Sequence, residues 1–467
     1  MQSNNLQYGY EAKPLTNFSV NQALNAISQL VKEPWAMWLD SCNSQHIDNQ
    51  YDIFVWQPLC KIKTTNHQTF VCKDDIWDLF SSLDPLVAIE QKIAECFEAT
   101  NISPSGLPFN GGAVGYFSYD LGRAFETLPS QASNDLAVYD MAVGIYDTAI
   151  IIDKITDTVY LFCLDDKREE LINALTKNAS VPYQENTNKF ALSSAWQSNM
   201  TQAQYREKFE KIQQYLRSGD CYQINLTQRF EAQYQGDEFD AYLKLRKHNN
   251  APFSAYLNID DIKVLSISPE RFIQIKQNKV QTKPIKGTRP RSNDPTQDEK
   301  NKQSLSLANK DKAENLMIVD LLRNDISRAC KPGSVKVPKL FDIESFPAVH
   351  HLVSTIEGEL AEDKSAIDLI RGAFPGGSIT GAPKIRAMEI IEELEPHRRN
   401  IYCGSIGYIS ACGNMDTSIT IRTLTCLNGR IICNAGGGIV ADSACDEEYQ
   451  ETFDKVNKIL PVLGELN

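Results

Sequence analysis

The stretch Pro284-Ile285-Lys286-Gly287-Thr288 sets a lysine between an apolar pair and a glycine that lets another molecule come close to the backbone. In water a lysine is almost wholly protonated near neutral pH and is a poor nucleophile. Desolvation, or a second cation beside it, lowers its pKa and frees the amine to attack. The same residues also read as a surface loop, because Arg289, Pro290 and Arg291 follow at once. Glu270, in Ser268-Pro269-Glu270-Arg271-Phe272, is a candidate acid or base, with a salt bridge to Arg271 as the simpler story. His350 and His351 are two of only six histidines. Either could move protons near neutral pH, or sit packed and hydrogen-bonded.

Further stretches suit anions. Phe374 to Lys384 is glycine-rich, carries the hydroxyls of Ser378 and Thr380, and runs through Pro383 into helical spacing from Lys384 to Leu394. Proline near the first helical position marks a helix start, whose free N–H groups attract anions. A plain capped turn explains the stretch equally well. Gly436-Gly437-Gly438 could present backbone N–H groups to a carboxylate, or form a flexible connector. Arg422 could alternate onto the same strand face as other site groups and grip a carboxylate with two prongs. Glu448 and Glu451 stand three apart on one helix and share a face, while Glu314 lies on another. Three carboxylates from two helices would suit Mg2+, although the adjoining Asp446 and Glu447 make a solvated acidic face the plainer reading.

These residues need elements to position them. Residues 1 to about 190 mix helices (21–31, 85–97) with strands (36–40, 51–56, 111–117, 141–152, 158–163). Residues 185–194 read as a linker. Thr201 caps a helix to about Leu216, followed by strands at 221–230, 253–258, 264–268 and 272–275. Residues 293–303 read as an exposed loop, 304–322 as helix, 402–433 as mainly strand and 445–460 as a last helix. No βαβ rhythm is present, which favours an α+β fold with largely antiparallel sheets.

Composition narrows the function. The 467 residues carry a net charge of -13, which argues against non-specific nucleic-acid binding. An anionic substrate would therefore need a local cationic site. No run approaches about 18 apolar residues, so no membrane span is expected. The start lacks the basic and apolar regions of a signal peptide. The 12 cysteines are scattered without C-x2-C spacing, so zinc and disulfide readings are weak and reduced thiols in a cytoplasmic protein are expected.

Taken together, the motifs resemble the chorismate-utilising enzymes. The likeness covers nearly the whole chain and is most specific from Thr201 to Leu460. Within the family, Pro284-Ile285-Lys286-Gly287-Thr288 looks like the form that aminates chorismate at C4; the anthranilate-forming members usually have alanine at the position of Lys286, and isochorismate-type members use water in the same pocket. The resemblance implies one large fold with two facing antiparallel sheets, helices outside and the site in a cleft between them, with regions 1–190 and 195–465 woven together.

It also implies roles. Lys286 attacks C2 of chorismate and displaces the C4 hydroxyl, and ammonia then enters at C4 and releases the lysine. Glu270 is the general acid or base, with His351 beside the ring as its rival. Glu314, Glu448 and Glu451 hold Mg2+. Arg422 and Tyr408 grip the enolpyruvyl carboxylate, Gly436, Gly437, Gly438 and Lys455 hold anionic oxygens, and Ser378 and Thr380 line the pocket. A separate amino-acid pocket, able to hold tryptophan, matches Ser41, Tyr51, Pro252, Phe253 and Ser254; the triplet Asn49-Gln50-Tyr51 departs from the usual pattern there. No cysteine lies in a glycine-flanked elbow, so ammonia comes directly or from a separate glutaminase subunit in a transient heterodimer.

Overall fold

The computed structural model describes residues 9–42, 46, 48–97, 101–103, 105–181, 188–346 and 349–464. Two large sheets dominate. One, of fourteen strands among the described residues, runs from Gln223–Gln235 through Arg430–Ile439, Thr423–Leu427, Ile262–Ser268, Phe253–Ile259 and Met37–Asp40 to Tyr51–Val55 and the N-terminal strands beyond. The other, of twelve, runs from Ile285–Pro290 through Val349–Glu359, Lys279–Thr282, Arg271–Lys276, Met415–Ile419 and Ser405–Ser410 to Gly112–Phe117 and onward. Among the described residues the strand ladders are antiparallel, save the short pairing of Gly9–Pro14 with Asn101–Ile102.

The sheets face each other across one apolar core. Ile53, Ala255 and Val264 of the first sheet share it with Ala113, Ile273 and Ile406 of the second. Ile318 and Ile367, from the helices Asn309–Ser327 and Ala366–Ala373, join the same core. A second core, with Ile27, Leu175, Leu245 and Leu265, seats three helices on the outer face of the larger sheet. No described helix is long and apolar enough to cross a membrane.

Local chemistry sets the element ends. The helix Gln202–Ser218 opens on a capping box of Thr201 and Gln204 and closes on Gly219 at φ 80°. Residues 293–303, expected as a loop, are instead largely helix, Pro295–Leu307. Asp294 caps Thr296 N, Pro295 occupies the first turn, and Asp298 accepts from Ser292 N and Arg291. Only Leu305 of that helix is buried, so no apolar stripe announces it. Of the expected linker, residues 185–187 lie outside the described residues, whereas Ala191–Leu192 pair with Tyr234 and Gln235. The last long helix ends at Val456, before a separate turn at Leu460–Leu463.

Candidate active site

Lys286 lies on the edge strand Ile285–Pro290. That strand pairs with Val353 at Ile285 and with His351 at Thr288, so three steps on one strand match two on the other. The extra residue is a bulge around Lys286 and Gly287. Gly287 has φ +79°, and a Cβ there would stand 2.8 Å from Asp311 Cγ, so the turn requires glycine. Lys286 Nζ donates to the Ser378 carbonyl at 3.3 Å. Burial lowers its pKa from the usual lysine value, against the pull of Glu314, and Lys455 adds to the lowering.

Glu270 is 6% exposed. Burial raises its pKa, opposed by Lys286 and by hydrogen bonds from the Ser378 side chain and the Ile285 backbone. The expected pairing with Arg271 is absent; that guanidinium binds Asp416 at 3.0 Å and Asp48 at 2.8 Å instead. His351 sits 2.8 Å through Nδ1 from Thr288 Oγ1. Burial and then Arg422 push its pKa down to about 3, so the ring is neutral. His350 is engaged elsewhere, by Ser345 and Asp298.

Arg422 does not ride on a strand. It falls in the break between Met415–Ile419 and Thr423–Leu427 with φ 51°, a left-handed conformation that is uncommon for a non-glycine residue. Among the described residues, no hydrogen bond or ion pair engages its guanidinium. Its charge acts on Glu270 and His351.

The three acids converge from their two helices. Glu314 is raised by burial and by Glu448 and Asp311, against Lys286 and Lys310. Glu448 is raised by burial and by Glu451, although Ser443 donates to it at 2.6 Å. Glu451, against burial, is held below the usual range by Lys455, which pairs with it at 2.7 Å. A Cβ on Gly437 would lie 3.0 Å from Glu448 Oε2 and 3.4 Å from Glu451 Oε1, so the glycine leaves room for both carboxylates. The donor set fits a hard cation: oxygen ligands, close, and repelling one another. Yet among the described residues no three acidic, histidine or cysteine side chains already stand in a metal-holding arrangement.

The three glycines are not a loose connector. Gly436, Gly437 and Gly438 pair with Thr227, Leu226 and Asn225, and the strand on their other side stops at Cys433. Lys455 Nζ donates to the Gly436 carbonyl at 2.7 Å, tying this strand to the acids. Two expected members are placed differently. Thr380 is fully buried and its hydroxyl binds Gly376 O within its own loop. Lys384, at the helix start expected to attract anions, binds Asp325 at 2.7 Å and Ala373 O at 2.8 Å. Lys310, which the sequence did not single out, stands 3.9 Å from Glu448 Oε1.

A match to the chorismate binding enzyme family spans residues 35–461. The chain belongs to this family. It is 55% identical over 436 residues to aminodeoxychorismate synthase component 1 of Klebsiella aerogenes, covering 93% of this chain and 94% of the relative. It is 55% identical over 441 residues to the protein of the same name from Escherichia coli (strain K12), covering 93% and 95%. Among solved structures, anthranilate synthase component I from Streptococcus pneumoniae TIGR4 superposes with a TM-score of 0.79 at 30% identity, over 89% of this chain and 93% of that one.

This chorismate-binding chain has a second concavity. A cavity of about 420 Å³ is lined by Ser41, Tyr51, Pro252, Phe253, Ser254 and, against expectation, Tyr408. Tyr408 lies on the strand Ser405–Ser410, packs edge-on to Phe109 at 5.7 Å, and takes its electrostatic setting from Asp416 and Arg271. Strand alternation aims it into this cavity and not beside Arg422. Ser41 already donates to Asp52 at 2.8 Å, and Ser254 to Ala251 O at 2.9 Å. The volume suits a small organic ligand.

Proposed function

We propose that this chain is the chorismate-aminating component of an aminodeoxychorismate synthase, converting chorismate and ammonia to 4-amino-4-deoxychorismate in 4-aminobenzoate and folate synthesis. The carrying observation is Lys286. Burial lowers its pKa from the usual lysine value, beside Glu270, whose pKa burial raises, in a chain 55% identical to named aminodeoxychorismate synthases.

In this reading the Lys286 amine adds to C2 of the ring, the two ring double bonds shift, and the C4–O bond breaks as Glu270 gives its proton to the departing hydroxyl, which leaves as water. Ammonia then adds to C4, the double bonds return, and the C2–N bond to Lys286 breaks. The amine needs its lone pair and the hydroxyl needs a proton, so burial that disfavours charge on both Lys286 and Glu270 serves both steps. The neutral His351 sits beside the ring as an acceptor. Arg422 takes the enolpyruvyl carboxylate in a two-pronged pair. The Gly436–Gly438 backbone and Lys455 hold the remaining anionic oxygens. Ser378 positions both Lys286 and Glu270. Glu314, Glu448 and Glu451 would hold Mg2+, whose charge, when bound, would offset that of the ring carboxylate.

Ammonia comes from a separate glutaminase component in a transient heterodimer, consistent with relatives named component 1. The second cavity takes an amino acid such as tryptophan. All twelve cysteines are free, which suits a reducing cytoplasm. The competing assignment, an anthranilate-forming enzyme, has no use for a lysine at this position. Lys286→Ala therefore separates them. Ammonia-dependent turnover of chorismate should fall by roughly a thousandfold or more, with chorismate binding retained. Turnover near wild type would sink the lysine-linked route and favour the competitor.

A further inference from the structure

Resting on the Mg2+ assignment above, we propose that Lys310 is the built-in counter-ion of the three-carboxylate cluster, filling it with one positive charge until a divalent ion displaces it. Lys310 stands in the first turn of the helix Asn309–Ser327, four residues before Glu314, so the two side chains share a face. Its Nζ reaches across to the helix Cys445–Val456, 3.9 Å from Glu448 Oε1. Its charge acts on all three carboxyls, Glu314, Glu448 and Glu451.

The cluster's internal contacts show why an exchange is needed. Glu451 is drawn to Lys455, and Glu448 is held by Ser443. Both carboxylates are therefore already engaged, although they face one point beside Gly437. Lys310 is 43% exposed on a flexible stem, so its head can swing into water at little cost. A small divalent ion brings twice the charge and approaches oxygen far more closely than an ammonium can. Its entry releases one positive charge from the cluster. A dianionic substrate arriving beside it restores the balance and gives the freed ammonium groups a partner. Metal and substrate then strengthen each other's binding, and without substrate the cluster holds metal less tightly than three carboxylates would suggest.

The test uses Mn2+ as a paramagnetic probe of metal binding in the intact chain without substrate, comparing wild type with Lys310→Gln and Lys310→Arg. Free Mn2+ is read by electron paramagnetic resonance, so no turnover is needed. The Kd for Mn2+ should tighten about three- to tenfold in Lys310→Gln and stay at the wild-type value in Lys310→Arg. Chorismate should tighten Mn2+ binding more in wild type than in Lys310→Gln. Equal or weaker binding in Lys310→Gln overturns the counter-ion role. If Glu448→Gln binds Mn2+ as tightly as wild type, the acid cluster is not the metal site, and the Mg2+ assignment fails together with the role of Lys310.

Discussion

At the scale of single residues, burial pushes two proton-carrying groups in opposite senses. Burial raises Glu270 and lowers His351 to about 3, so the glutamate keeps its proton to higher pH than the imidazolium does. This favours Glu270 over His351 as the donor to the departing hydroxyl. The same lowering has a consequence for stability. Between about pH 6.5 and about pH 3 an unfolded chain takes a proton on this histidine that the folded chain refuses. Stability is therefore intact above about pH 6.5 and falls as pH drops, by up to about 1.4 kcal/mol per unit. A His351→Phe variant lacks this proton, so wild type should lose about 2 kcal/mol relative to it between about pH 7.5 and about pH 5 in urea unfolding. A constant gap across that range would contradict the neutral, buried ring. Lys286, Glu270 and the three acids could be singled out as candidates from residue type, but a surface loop, a salt bridge and a solvated acidic face read as plainly there, and only the family likeness gave them roles. Tyr408 was not legible: alternation says that neighbours on a strand face opposite ways, but not which face holds the substrate. Lys310 escaped notice because one more lysine in a charged stretch looks like surface.

At the scale of elements, one buried ion pair joins the pieces of the cleft. Arg399 donates to Ile379 O and Asn225 O, both at 2.8 Å, and to Glu395 at 2.7 and 3.0 Å. Glu395 in turn accepts from Thr227 N and Oγ1 at 3.0 and 2.8 Å. Asn225 and Thr227 face the three glycines across the ladder, and Ile379 adjoins Ser378. The pair thus fixes the Ser378 loop against the glycine strand. Glu395→Ala would leave the Arg399 guanidinium buried and uncompensated, and should destabilise the fold by about 3–5 kcal/mol in denaturant titration. A loss within about 0.5 kcal/mol would show that the network carries no structural weight. Most strands and capped helices could be read from periodicity and from end signals such as Thr201 and Gly219. The helix Pro295–Leu307 could not, since its partners are charges and its only buried side chain is Leu305. The left-handed break at Arg422 was likewise hidden, because Ile419 to Leu424 reads as one continuous strand.

At the scale of the whole molecule, distant stretches interleave. Met37–Asp40 lies between Phe253–Ile259 and Tyr51–Val55, and Gly112–Phe117 between Ser405–Ser410 and Met141–Tyr146. Pairings such as Gly112 with Ser410 span some three hundred residues, so no local pattern reveals them. The family likeness supplied the two facing sheets where periodicity supplied only α+β. Net charge tells the same story of scale. The chain carries -13 overall, yet gathers Lys286, Lys310, Arg422 and Lys455 at one site, where they offset Glu270, Glu314, Glu448 and Glu451. The purified chain, given chorismate, Mg2+ and an ammonium salt at mildly alkaline pH, should yield 4-amino-4-deoxychorismate, convertible to 4-aminobenzoate by an added lyase. Fluorescent anthranilate as the product would contradict the account and leave Lys286 a bystander.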